Sequence, residues 1–348
     1  MVTGSPVNRR IVVNGLHDVV VETVPEPVPV AGEARVRTTV VGICGSDLHA
    51  ASGHHPFIDL PYRPGHEAVG PGVDESWIGT RVTIEPNLAC GHCIQCRSGR
   101  YNICRELAVF GCQTPGALAD SFTIAEDRLV RLADDLDDRH AVLIEPLATP
   151  VHAVRRAAET VGDLRDRPVV VIGAGPIGLF ALLAARHVGA RVIVADLLES
   201  KRARAERLGA AGTFDPTAPD AIAAARRLLG GPAAVVIDCV ARESSVAQAV
   251  ELVDKGGAIM IVGVAAGATP VPLDLIQDRE LSLIGSLMYV REDFIAALDM
   301  LASGAVSVDE IISAEFDLEH SAEAFAASAD AENVKVLVTV GSDPGRSR

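Results

Sequence analysis

Four of the seven cysteines fall within fifteen residues, as Cys90-x2-Cys93-x2-Cys96-x7-Cys104. Thiolates at this spacing can close around one tetrahedral zinc, a site with no position left for a substrate. Gly91 and Gly99 suit the tight turns of such a knot, and an iron–sulfur cluster is the weaker rival. The ion's role there is local order in a lobe of about residues 86–106 that lacks its own core. A second set is scattered: Cys44 in Gly42-Ile43-Cys44-Gly45-Ser46-Asp47-Leu48-His49, then His66 and Glu67 after Gly65, and Glu145 before Pro146. Any one of these alone is uninformative, because a lone cysteine is usually a small buried hydrophobe.

A third pattern is Gly173-Ala174-Gly175-Pro176-Ile177-Gly178, placed between the apolar run Pro168 to Ile172 and a helical stretch. Gly173 permits the tight turn, Gly175 lets backbone approach a pyrophosphate, and Gly178 lets helix pack on strand. Pro176 and Ile177 open the helix, whose free N–H groups and dipole favour phosphates. A second strand, Arg191 to Ala195, ends in Asp196, about twenty residues on as a dinucleotide site requires. The Asp196 carboxylate can accept hydrogen bonds from both adenosine ribose hydroxyls and repels a 2′-phosphate, which favours NAD over NADP. Arg202, beside Lys201, is the neighbouring cation that could meet a phosphate.

These motifs need two kinds of scaffold. Up to about residue 146 the chain reads as short strands and loops, with alternation over Ala34 to Val40 and again over Arg81 to Ile84. Prolines at 25, 27, 29, 56, 61 and 64 break any long helix. Beyond Pro146, strands and helices alternate through Ile284, the signature of a doubly wound parallel α/β sheet. The last sixty or so residues, with a helix from Glu292 to Ala302 and a strand from Val334 to Val340, most simply rejoin the N-terminal region. This gives residues 1–147 and 288–348 as one domain and 148–287 as the other. The tail after Val340 reads as frayed.

Composition sets limits. With 348 residues, 49% apolar and 22% charged, the chain can bury two cores and is neither disordered nor fibrous. A net charge of −15 with no basic stripe excludes a nucleic-acid surface. No apolar run spans a bilayer and the N-terminus lacks the core of a signal peptide, so the expectation is a cytoplasmic protein with no membrane partner. Lysine occurs only at positions 201, 255 and 335. That scarcity reads as genome bias and no function is drawn from it.

Taken together, the motifs resemble the zinc-containing medium-chain alcohol dehydrogenases, closest to the sorbitol (polyol) dehydrogenase-like branch. The resemblance covers nearly the whole chain. It rests on Gly42 to Asp47, Gly65-His66-Glu67, the four-cysteine lobe, Ile144-Glu145-Pro146-Leu147, and Gly173 to Gly178 with Asp196. It implies a mainly β, GroES-like catalytic domain beside a Rossmann domain, two Zn2+ per subunit, and a homodimer or homotetramer. It also implies that Cys44 and His66 bind a catalytic zinc, with Glu67 and Glu145 contesting the third ligand position. Ser46 and His49 would form a proton relay, and Val262 and Ser286 would approach the nicotinamide.

The implied reaction is hydride transfer from a secondary alcohol (a polyol, sugar alcohol or cyclitol) to NAD, with the ketone as the other partner. L-Threonine or 2,3-butanediol dehydrogenase is the alternative within enzymes, and a non-catalytic NAD- and zinc-binding protein the alternative outside them. Three departures bear on pocket detail. The segment from His66 to Arg81 is short, Cys239-Val240-Ala241 replaces Cys-Thr-Gly, and Pro150 follows Thr149. Asp196 predicts faster turnover with NAD than with NADP; steady-state rates with the two cofactors test this, and equal rates contradict the assignment.

Overall fold

The computed structural model describes residues 7–74, 76–265, 267–304 and 308–341. The tail beyond Gly341, read above as frayed, lies outside them. The chain forms two compact units, Met1–Glu145 with Ile311–Arg348, and Pro146–Glu310.

In the first unit, strands order as Leu129–Arg131, Arg81–Ile84, Glu67–Pro71, Val40–Ile43, Lys335–Thr339 and Ile312–Asp317 in one six-stranded sheet. Its chain-distant member, Lys335–Thr339, pairs antiparallel with Val40–Ile43 in the register Val336↔Ile43 and Leu337↔Gly42. On the other side of Val40–Ile43 lies Glu67–Pro71, with Gly42 opposite Glu67. The single strand expected over Ala34 to Val40 is two. Glu33–Arg37 pairs with Ser121–Ala125, while Val40–Ile43 enters the six-stranded sheet. The alternation continues through Thr38, but that side chain turns to donate to the Ala117 carbonyl at 3.0 Å, and the chain changes sheets there. Val36, Val41, Ile43, Ala68, Val82, Ile84, Phe122 and Val336 form part of the core behind the sheet.

The second unit holds six strands in the order Thr213–Phe214, Arg191–Ala195, Pro168–Ile172, Ala233–Asp238, Val253–Ile261 and Ser282–Gly285, all parallel. This is the doubly wound order, with the chain reversing direction across the sheet at Pro168–Ile172. The central strands are buried on both faces, which is why they read as unbroken Val, Ile and Ala. The helix Pro176–His187 packs its Leu179 to Ala185 face onto this sheet.

The division falls at 310/311, not at 287/288. The helix Arg291–Ala302 stays with the second unit because burial ties it there. Tyr289 and Phe294 are fully buried with ring centroids 5.7 Å apart. Asp293, also buried, accepts from His152 Nδ1 at 2.7 Å and from Arg155 Nε at 2.6 Å, both on the long helix Ile144–Val161. It also accepts the Val290 N–H at 3.0 Å, so one carboxylate caps its own helix and clamps another.

Burial alone would raise the Asp293 carboxyl, but its bonds to His152 and Arg155 hold it down at about 2, against an ordinary 3.8. A depressed carboxylate stabilises the fold above its ordinary pKa and loses that contribution as pH falls through the folded value. Asp293→Asn is therefore expected to cost on the order of 2 kcal/mol at pH 7 and about half of that at pH 3. Denaturant midpoints of wild type and variant at the two pH values measure it, and a pH-independent difference contradicts the clamp.

Candidate metal centres and dinucleotide turn

Cys44 follows directly on the strand Val40–Ile43 and forms the N-cap of the helix Gly45–Ala51. Its extended backbone and its N–H bond to Asp47 Oδ2, at 2.9 Å, fix where the thiol points. His66 immediately precedes the strand Glu67–Pro71. Adjacent strands thus deliver Cys44, His66 and Glu67 to one place, where their ligand atoms lie within 4.8 Å of one another. His66 and Glu67 are buried and Cys44 half-buried.

Glu67 has room because the residue opposite is Gly42. A Cβ there would stand 2.0 Å from Glu67 Oε2. Burial opposes a charge on His66, yet Cys112 and Asp47 raise its pKa well above the ordinary value. The surroundings are therefore electronegative, as suits a cation. A thiol, an imidazole and a carboxylate gathered in a water-poor site are a donor set for zinc.

Glu145 is buried in the first turn of the helix Ile144–Val161. Ser46 and His49 lie on the helix Gly45–Ala51, three residues apart on one face; Ser46 is half-buried and His49 exposed.

Three further residues join this centre: Asp47, Cys112 and Lys335. Asp47 is buried, lies 4.0 Å from His66 Nδ1 and accepts a bond from the Tyr62 hydroxyl at 3.1 Å. Cys112 has its Sγ 3.9 Å from His66 Nδ1. Lys335, buried at 2% exposure, places Nζ 2.7 and 2.9 Å from the two Glu67 oxygens and 3.1 Å from the Ile43 carbonyl oxygen. Asp47 stood inside a quoted motif without a role. The signal for Lys335 was also present: one of only three lysines, it interrupts the apolar strand sequence Val334 to Val338. Phe110 is core, packed 5.4 Å from Phe122, and Phe57 is exposed.

In the four-cysteine lobe, the paired segments Asn87–Leu88 and Ala108–Val109 close the base. The sulfurs of Cys93 and Cys96 are 3.5 Å apart, those of Cys90 and Cys96 3.9 Å, and those of Cys93 and Cys104 3.9 Å. Four sulfurs around one zinc at about 2.3 Å stand about 3.8 Å apart, so the cage has the size zinc requires. Backbone N–H groups of Arg105 and Cys96 hold the Cys93 thiol down at about 6. Burial and neighbouring thiols push Cys96 up to about 12. Four thiols this close cannot all ionise unless a cation balances them. His92 is exposed and its Nδ1 sits 2.8 Å from the Cys90 carbonyl oxygen.

In the second unit, Gly173 has φ +94° and its N–H reaches the Ala195 carbonyl at 2.8 Å. A Cβ on Gly178 would lie 1.8 Å from the Gly173 carbonyl oxygen, so only glycine lets the helix approach the turn. Gly175 caps the helix that Pro176 and Ile177 begin, and space beside it is open. Asp196 accepts N–H groups from Ala174 at 2.7 Å and Leu198 at 3.0 Å, which orients its carboxylate at the turn. Arg202 is engaged by the carbonyls of Asp196 and Leu197 at 2.7 and 2.9 Å, so its guanidinium shapes the loop beneath Asp196. Val262 bonds to the Asp238 carbonyl oxygen at 2.9 Å. Ser286 follows the last strand, buried, and its hydroxyl has no partner among the described residues.

The departure at Cys239-Val240-Ala241 has a local cause. Ala241 holds φ +53°, which favours glycine, and Asp238 secures it by accepting the Val240 and Ala241 N–H groups at 2.9 and 3.0 Å.

Comparison with known proteins agrees with this arrangement. Residues 30–134 match the alcohol dehydrogenase GroES-like domain, and residues 176–303 match the zinc-binding dehydrogenase family. The chain belongs to the zinc-containing medium-chain alcohol dehydrogenases, oxidoreductases acting on CH–OH groups. Within them it falls in the polyol dehydrogenase branch. It is 33% identical to L-galactonate-5-dehydrogenase of Escherichia coli (strain K12) over 86% of this chain and 88% of that one. It is 34% identical to sorbitol dehydrogenase of Bos taurus, over 97% and 98%. Among solved structures, a zinc-binding dehydrogenase from Sinorhizobium meliloti 1021 bound to NADP superposes with a TM-score of 0.88, at 30% identity over 96% of this chain and 100% of that one. No helix among the described residues is long and apolar enough to cross a membrane.

The bare Cα of Gly42 yields a test of this geometry. Gly42→Ala is expected to displace Glu67 and to lower metal content at the Cys44 centre by roughly tenfold in affinity, while the four-cysteine lobe keeps its ion. Zinc counts with and without mild chelation measure this, and an unchanged count of two overturns it.

Proposed function

We propose that this protein oxidises a secondary alcohol of the polyol, sugar alcohol or cyclitol type to its ketone, passing hydride to NAD. The observation that carries the reading is the meeting of Cys44, His66 and Glu67 ligand atoms within 4.8 Å, in a chain similar over most of its length to dehydrogenases of sorbitol and L-galactonate.

Cys44 and His66 would hold the catalytic zinc, with Glu67 or Glu145 as third ligand; Cys90, Cys93, Cys96 and Cys104 would hold the structural one. Bound zinc would acidify the alcohol hydroxyl and NAD would accept the hydride. The chain's own residues do the rest. Asp47 orients His66 from behind, as outer carboxylates do for metal-binding imidazoles. Ser46 takes the alcohol proton and His49, on the exposed end of the same helix face, passes it to solvent.

On the cofactor side, Gly173, Gly175, Pro176, Ile177 and Gly178 receive the pyrophosphate. Asp196 takes the adenosine ribose, with Arg202 shaping its loop. Val262 and the unpartnered Ser286 hydroxyl serve the nicotinamide half. Residues 148–287, which carry the six parallel strands, would form the core of the NAD-binding domain. Thiols grouped for metal suit the reducing cytoplasm. A homodimer or homotetramer is the expected assembly, by kinship with the family.

A screen for NADH formation across sugar alcohols, cyclitols, small diols and threonine, run beside a zinc count, tests the function. Turnover of polyols with two zinc ions per chain is expected. Turnover confined to threonine or 2,3-butanediol reassigns the substrate, and two zinc ions without NADH formation leave a binding protein. For the relay, His49→Gln should lower turnover chiefly at low pH, and an unchanged pH profile removes His49 from it.

A further inference from the structure

The four-cysteine lobe is not symmetrical toward solvent. Cys93 and Cys104 are buried, while Cys90 is half-buried and stands beside two exposed residues, His92 and Glu106. One ligand atom from each of Cys90, His92 and Glu106 lies within 4.8 Å of the other two, a spread that one ion can bridge. The Cys90 thiol therefore belongs to two donor sets, the cage of four sulfurs and this outer one.

Local bonds prepare the outer set. A carbonyl oxygen can only accept, so the 2.8 Å bond to the Cys90 carbonyl puts the proton on His92 Nδ1 and leaves the lone pair on Nε2. Metal-binding imidazoles are fixed in this way, by donating their other ring N–H. The Glu106 N–H donates to Cys104 Sγ at 3.3 Å, which anchors that residue to the cage. Its carboxylate has no hydrogen bond or ion pair among the described residues and keeps its acceptor capacity.

A closed cage poses a kinetic problem. Four thiolates around one ion leave no open position, so an ion enters or leaves only as one donor replaces another. A thiolate sulfur has lone pairs enough to bind a second cation, so Cys90 can hold an arriving ion before the other sulfurs take it.

We propose that Cys90, His92 and Glu106 form a landing site for a thiophilic divalent cation, taking zinc from solution and passing it into the four-cysteine cage. His92 Nε2 and a Glu106 oxygen release the ion as the sulfurs of Cys93, Cys96 and Cys104 bind it, and their thiol protons go to solvent. Cys90 stays bound throughout and no electron moves. By microscopic reversibility the same donors speed replacement of a resident ion. This rests on the structural-zinc reading above and adds the route by which the ion arrives.

The test uses the full chain with zinc in both centres, exposed to a small excess of Cd2+. The strong ultraviolet absorption of a four-thiolate cadmium site reports entry into the cage, because the Cys44 centre offers fewer thiolates. His92→Asn and Glu106→Gln should each slow that entry roughly tenfold, starting from the same two zinc ions per chain. Damage to the lobe would speed the replacement, so the direction of change separates the two. At about pH 8 an imidazole is neutral, so slowing in His92→Asn reports ligation. Slowing confined to Glu106→Gln reduces the effect to electrostatic steering and overturns the site. Entry at the wild-type rate in both variants, with two zinc ions bound, overturns the landing site alone. A wild type whose four cysteines hold no zinc overturns the structural-zinc reading and this inference with it.

Discussion

A buried ion pair, Lys335 with Glu67, lies at the centre of the first unit, because a fold that gathers anions away from water must also bury something positive. The pair is possible only because three strands lie side by side: Glu67–Pro71, Val40–Ile43 and Lys335–Thr339. Their ends present Glu67, Cys44 and Lys335 together, and the missing side chain of Gly42 supplies the space between them. Asp47 performs the matching task on the other side, holding the Cys44 backbone and standing behind His66.

The two metal centres answer different physical needs. The four-cysteine lobe has little apolar material and a base of only two short paired segments, so a bound ion would serve as its core. Its thiols are tuned apart by backbone N–H groups and by burial, a state that a cation relieves. At the Cys44 centre the donors are mixed and embedded in an existing sheet; there the fold itself positions the candidate ligands and would not depend on an ion for its order.

The second unit solves a different problem, bringing backbone close to an anionic ligand. Parallel strands leave a turn after Pro168–Ile172, glycines remove the atoms that would obstruct it, and Asp196 is oriented by two N–H groups at its rim. The same unit shows how a less suitable residue is tolerated. Ala241 occupies a left-handed conformation because Asp238, tied in turn by the Ser245 hydroxyl at 2.7 Å, holds the loop.

Local patterns were legible in the sequence by themselves. The spacing of the four cysteines, the glycine turn followed by Asp196 and the alternation of strand with helix each depend on neighbours along the chain, and such patterns survive without a fold. Cys44, His66, Glu67 and Glu145 could be gathered only by resemblance, since the residues between them carry no periodicity that would bring them together. What only the tertiary structure decided was pairing between distant segments. Lys335 looked like compositional noise until a strand some 268 residues from Glu67 came alongside the strand that leads into Cys44. The helix Arg291–Ala302 joined the second unit because Asp293 found His152 and Arg155, a partnership with no signal in local sequence. Burial makes charges seek partners, and which partner is within reach is set by sheet order, which the chain acquires only on folding.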